Sequence, residues 1–232
     1  VLEEIAALAE KYHLTVFSDE IYDQVLYADA EFTPMATLVQ DSLCVTMSGL
    51  SKVYRACGYR VGWAVFSGDI EHARDYMSAV ELLSSLRLCA NVPGQWAVQT
   101  ALGGYQSIKD LVRPGGRLYE TRQAIMENVR KSKYLDVRLS NGAIYDFVRI
   151  KTELLPEIDD QRFALDLLEH KHVLVAPGSS FNVPYKNHFR ITHLPRSEVI
   201  NDVFQRMEEL FDSYANGSAP LSRPAPSLKA VK

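Results

Sequence analysis

The 232 residues contain only three cysteines, Cys44, Cys57 and Cys89, and no CxxC pair. An odd count without paired spacing excludes a disulfide framework and a zinc site, and it points to a reducing compartment, the cytoplasm. No apolar run approaches the length of a membrane span, and no basic-then-apolar leader opens the chain. An excess of one charge is missing as well: 25 basic residues stand against 29 acidic ones, a formal net charge of -4 without long runs of either sign. Such a balance offers no surface for nucleic acid or for an anionic membrane. There is no internal repeat. The chain also lacks an initial methionine and a capping residue ahead of Val1–Glu10, whose apolar positions already fall at helical spacing. The expectation is a helix entered midway, in a fragment whose N-terminal part is missing.

With 47% hydrophobic and 23% charged residues, the chain can bury a core and falls between one domain and two. Its centre of organisation is Met47–Trp63, MSGLSKVYRACGYRVGW. Lys52 follows the small residues Ser48, Gly49 and Ser51, and Arg60 lies eight positions later beside Gly58 and Gly62. One amine able to form an imine and one planar guanidinium able to grip a phosphate with parallel hydrogen bonds suit pyridoxal phosphate (PLP). Asp19 and Tyr22 upstream fit the same cofactor. A buried carboxylate at the mouth of a parallel sheet needs a cationic partner, which a protonated pyridine nitrogen supplies, and a phenol reaches the neighbouring ring hydroxyl. Ser51 offers the phosphate a further donor. Far downstream, Arg190 lies between Phe189 and Ile191 and calls for a carboxylate, either a substrate's or an internal one. Taken singly, each residue also has a plain structural reading: a solvated lysine, a capping aspartate, a rim tyrosine, a surface arginine, a turn serine.

In chain order, the first helix stops near Tyr12-His13 and Leu14–Ser18 reads as a buried strand, half of a βαβ unit, which predicts a mainly parallel sheet covered by helices. Asp19 then falls at the carboxyl end of a strand, where open α/β sheets bind ligands. Leu43–Met47 and Arg60–Phe66 read as further strands, and Ser67-Gly68-Asp69 as the turn and cap of a helix to about Ser85. Helices follow at Pro93–Leu102, Tyr105–Val112 and Arg117–Lys133, the last amphipathic through Leu118, Ile125, Met126 and Val129. Strands at Asp136–Leu139 and Ala143–Ile150 flank an Asn-Gly turn. A helix at Asp160–His170, strands at His172–Ala176 and His188–His193, and a helix at Arg196–Tyr214 complete a small α+β domain. The expected division is a PLP-binding large-domain part over 1–116, a linking helix and small C-terminal domain over 117–214, and a Pro/Ser/Gly-rich disordered tail over 215–232.

Asp19-x-x-Tyr22, Ser51-Lys52 with Arg60-Val61-Gly62, and Phe189-Arg190-Ile191 resemble the fold-type I PLP enzymes of the class I/II aminotransferases, and within them the bacterial alanine (glutamate–pyruvate) group. The stretches DEIYDQVLY from Asp19, GLSKVYR from Gly49, RLCANVP from Arg87, QTALGGYQS from Gln99 and PGGRLYE from Pro114 carry the likeness, which extends to about Tyr214. The resemblance implies the three-layer PLP-transferase large domain followed by a small domain. It makes Lys52 the Schiff-base lysine and proton shuttle, Asp19 the partner of the pyridine nitrogen and Tyr22 that of the ring hydroxyl. Arg60 and Ser51 hold the phosphate, and Arg190 takes the substrate carboxylate. It further implies ping-pong transamination, L-alanine with 2-oxoglutarate as first choice, by a cytoplasmic homodimer acting on an amino acid and a 2-oxo acid. Another PLP chemistry, an aromatic aminotransferase or a lyase, and a catalytically incomplete fragment stand as alternatives. Arg87 is a candidate for a second substrate carboxylate, against a structural ion pair. Gly49 occupies a position where many relatives carry a phosphate-binding serine. The family's N-terminal arm, phosphate-cradling helix start, ring-stacking aromatic and Asn-Pro motif have no counterpart ahead of Asp19.

Overall fold

The computed structural model describes residues 1–217, so most of the expected 215–232 tail lies outside the described residues. The chain divides into two compact units, one spanning Val1–Asp110 and the other starting at Leu111.

The first unit carries a three-stranded sheet in the order β1-β2-β3, formed by Val16–Asp19, Leu43–Gly49 and Gly62–Gly68. Helix α1 (Leu2–Tyr12) buries Ala6 and Ala9, Ala6 packing against Met35, Val39 and Cys44. Its left-handed cap at His13, with φ 50°, turns the chain toward β1. The sheet is mixed rather than mainly parallel: β1 runs parallel to β2, and β3 runs antiparallel to it. β1 is also shorter and more open than the apolar run predicts. Leu14, ahead of the strand, and Phe17 are 53% and 55% exposed, and alternation along β1 puts Phe17 on the face opposite Val16, which packs on the core. Asp69 accepts the His72 amide and caps a turn, so α2 begins later, at Arg74, and runs to Arg87. Helix α3 (Val92–Gly103) opens on an Asn91 side-chain cap to the Gly94 amide, with Pro in its first turn, as helix starts favour. The short α4 covers Ile108–Val112.

The second unit is a four-stranded antiparallel sheet in the order β4-β5-β7-β6, from Leu135–Val137, Tyr145–Ile150, His188–Thr192 and Ala176–Pro177. Helices α5 (Arg117–Lys131), α6 (Asp160–Lys171) and α7 (Ser197–Ala215) complete it. β5 and β7 alternate strictly, as a sheet with one buried face requires. Val148, Ile150, Phe189 and Ile191 join Ile125, Phe163, Leu167, Phe204 and Phe211 in one core. Two expectations fail here. Val137 pairs with Val148, so residues 138–144 form a loop with its left-handed residue at Ala143 (φ 63°) instead of a tight Asn-Gly hairpin. The strand expected over 172–176 shrinks to two paired residues, because His172 sits in the left-handed cap of α6.

Candidate active site

The strand register brings the segments that carry Asp19, Ser51, Lys52 and Arg60 to one end of the first sheet. Asp19, the last residue of β1, lies beside Met47 of β2, and Gly49, the last of β2, lies opposite Gly62, the first of β3. The carboxyl ends of two strands and the start of the antiparallel third therefore coincide. This end is where the chain places Asp19, Ser51-Lys52 and, two residues before β3, Arg60.

The glycines make this junction narrow. A Cβ on Gly49 would stand 2.7 Å from the Val61 carbonyl oxygen, and one on Gly62 would stand 2.9 Å from that of Ser48. Beyond Gly49 the lysine loop is pinned from both sides. Leu50 donates its amide to Val61 at 3.0 Å and accepts that of Ala56 at 2.9 Å, while Leu50 and Val53 are 1% and 2% exposed. Ser51 and Lys52 are thereby held, half-buried, between two anchors in the core. Among the described residues no carboxylate or other partner engages the Lys52 amine.

Asp19 is exposed, and the acid that burial claims is its neighbour Glu20. Glu20 is spent on structure, accepting the Ser18 hydroxyl at 3.0 Å and the Met35 amide at 2.9 Å. The buried carboxylate anticipated at position 19 is thus corrected: alternation along β1 turns Asp19 outward, where its one bond among the described residues is from the Ile21 amide at 3.3 Å. Tyr22 follows, half-buried, in the turn after β1. Arg60 is not in a strand. It closes a short turn over Cys57–Tyr59 in the left-handed region (φ 50°), is exposed, and donates Nη1 to the Cys57 carbonyl at 2.8 Å, keeping its remaining N–H groups.

Amine, carboxylate, phenol, hydroxyl and guanidinium near one sheet end are the group types that could hold PLP: a nucleophile for its aldehyde, an anion for its ring nitrogen, and cationic and hydroxyl donors for its phosphate. A cavity of about 620 Å³ in the same unit, lined by Tyr54, Tyr59, Trp96 and Tyr105 among others, includes none of these five residues. Arg87 ends α2 exposed, and a cation in the last turn suits the helix dipole.

Arg190 is placed in the second unit, on the inner strand β7, half-buried and facing away from the core residues Phe189 and Ile191. No carboxylate pairs with it among the described residues. Instead, its guanidinium lies 4.4 Å from the ring centre of Tyr145 and 4.8 Å from that of Phe181. Neither ring was identifiable from sequence. Alternation makes Tyr145 a strand residue, but only the pairing of β5 with β7 puts it beside an arginine.

A family profile described as "Aminotransferase class I and II" matches residues 1–204. The chain is 44% identical over 214 residues to the glutamate-pyruvate aminotransferase AlaA of Escherichia coli K12, covering 92% of this chain and 53% of that protein. It is 41% identical over 214 residues to the alanine aminotransferase of Mycobacterium bovis, covering 92% of this chain and 50% of that one. Among solved structures, an Escherichia coli aminotransferase superposes with a TM-score of 0.89 at 43% identity, over 92% of this chain and 53% of its own. An alanine aminotransferase from Pyrococcus furiosus gives 0.84 at 33%, over 91% and 53%. The chain spans about half the length of the curated relatives it matches. Motifs, strand register and profile agree, and the chain belongs to the class I and II aminotransferases.

Proposed function

We propose that the intact protein is a PLP-dependent transaminase, exchanging an amino group between L-alanine and 2-oxoglutarate to give pyruvate and L-glutamate. The observation that carries this reading is the convergence of Asp19, Lys52 and Arg60 at one end of the three-stranded sheet. The substrate pair follows the names of the glutamate-pyruvate and alanine aminotransferases to which the chain is similar. Bound there, PLP supplies an electron sink for the charge left when a substrate Cα proton departs.

The Lys52 amine, held by the Leu50 and Val53 anchors, would hold the cofactor through its aldehyde and, when free, would be the base for the substrate Cα proton. The Asp19 carboxylate holds the ring-nitrogen proton, and the Tyr22 hydroxyl bonds the ring hydroxyl. Arg60 and Ser51 donate to the phosphate, and Arg190 donates to the substrate α-carboxylate. On this reading residues 1–116 belong to the cofactor-binding large domain, 117–214 form the linking helix and small domain, and the enzyme works as a cytoplasmic homodimer.

Titration of the intact protein with PLP tests the centre of the proposal. A visible absorption band is expected in the unaltered protein and is absent in Lys52→Ala. An unchanged spectrum in the variant would remove Lys52 from its role.

A further inference from the structure

The surroundings of Arg190 show how a binding arginine is kept both ordered and available. Tyr145 comes from β5, on one side of β7, and Phe181 from the turn after β6, on the other side. Aromatic faces attract a guanidinium through its π-face and leave the in-plane N–H donors unused. An internal carboxylate would take those donors.

The Phe181 ring is itself fixed. It stands edge-to-face on Phe147 at 5.9 Å and 90°, and Phe147 is the register partner of Arg190. The turn Gly178–Phe181 presses on β7 so closely that a Cβ on Gly178 would come within 2.7 Å of the His188 carbonyl oxygen. Asp160, 0% exposed at the start of α6, accepts the Ser179 amide at 2.6 Å and latches the turn from below.

We propose that Tyr145 and Phe181 are positioning residues that clamp the faces of Arg190 so that its donor edge meets a substrate carboxylate bidentately. This rests on the assignment of Arg190 to the substrate carboxylate. Both substrates of a transamination carry that carboxylate, so the clamp acts on the amino donor and the 2-oxo acid alike.

The test uses the intact protein with Tyr145→Leu, Phe181→Leu, the ring-preserving Tyr145→Phe and Phe181→Tyr, and Arg190→Gln. The leucine variants are expected to raise KM for alanine and for 2-oxoglutarate together by about tenfold with kcat nearly unchanged, the signature of lost uniform binding, while the ring-preserving variants restore it. An increase in Arg190→Gln with no change in either leucine variant overturns the clamp and leaves the arginine assignment standing. Unchanged KM in Arg190→Gln overturns both. A readout independent of turnover is the NMR spectrum of arginine-labelled unaltered protein. The Arg190 side-chain protons are expected upfield under the two rings, and its Nε–H is expected to move on addition of succinate. Should the leucine variants fail to fold, absence of that upfield shift alone overturns the clamp.

Discussion

At the scale of single residues, the second unit depends on a pair that no sequence pattern announces. His193 and Asp146 are 0% and 2% exposed, with Nε2 donating to Oδ2 at 2.7 Å. The other carboxylate oxygen accepts the Ser140 amide at 2.9 Å and its hydroxyl at 3.1 Å. Burial pushes the Asp146 carboxyl up, but the bonds from His193 and Ser140 outweigh it and hold the group below the ordinary carboxylate range. Because the folded state favours the anion, this stabilisation is present above the ordinary range and is lost as pH falls through the lowered value. Asp146→Ala strips His193 Nε2 of its acceptor and is expected to destabilise by about 3 kcal/mol at neutral pH. Urea unfolding measures this, with the gap to the unaltered protein closing under acid; an equal gap at both pH values would contradict it. Lys52, Asp19, Ser51, Tyr22 and Arg60 could be singled out as candidates from residue type, spacing and the family resemblance. The exposure of Asp19, the burial of Glu20 and the left-handed turn at Arg60 were not, since strand alternation and loop closure depend on partners distant in sequence.

At the scale of elements, the helices were the most readable. The α6 start shows why: Asp159 accepts the amides of Gln161 and Arg162, each at 3.1 Å, a signal contained within four residues. Asp159→Ala is expected to lower stability by about 1 kcal/mol, read as a drop in thermal midpoint, while Asp159→Ser retains most of it. α3, α6 and α7 end within a residue or so of their expected limits because period and caps are local. The strands were less readable. Apolar runs marked β1 to β3 without giving the direction of β3, and Val173 to Val175 looked like a strand while remaining unpaired up to Ala176. Pairing requires a neighbour, and the neighbour of β6 is β7, more than ten residues away.

At the scale of the whole molecule, the first unit leaves large apolar side chains in the open. On α2, Leu82, Leu83 and Leu86 are 64%, 66% and 75% exposed, and Trp96 on α3 is 73% exposed. Apolar surface of this kind commonly marks contact with other polypeptide. With a homodimer proposed for the intact protein, sedimentation velocity is expected to give a dimer, and monomers alone across the micromolar range would contradict it. Among the described residues no helix is long and apolar enough to cross a membrane. By itself the sequence determined the chemistry available, one amine, one acid and one guanidinium in recognisable settings, together with the helices, because both are written in residue type and short-range period. Tertiary structure alone decided that Asp19, Lys52 and Arg60 share a sheet end, and that two rings rather than a carboxylate accompany Arg190. Those outcomes are fixed by strand register, a property of segments that meet only once the chain has folded.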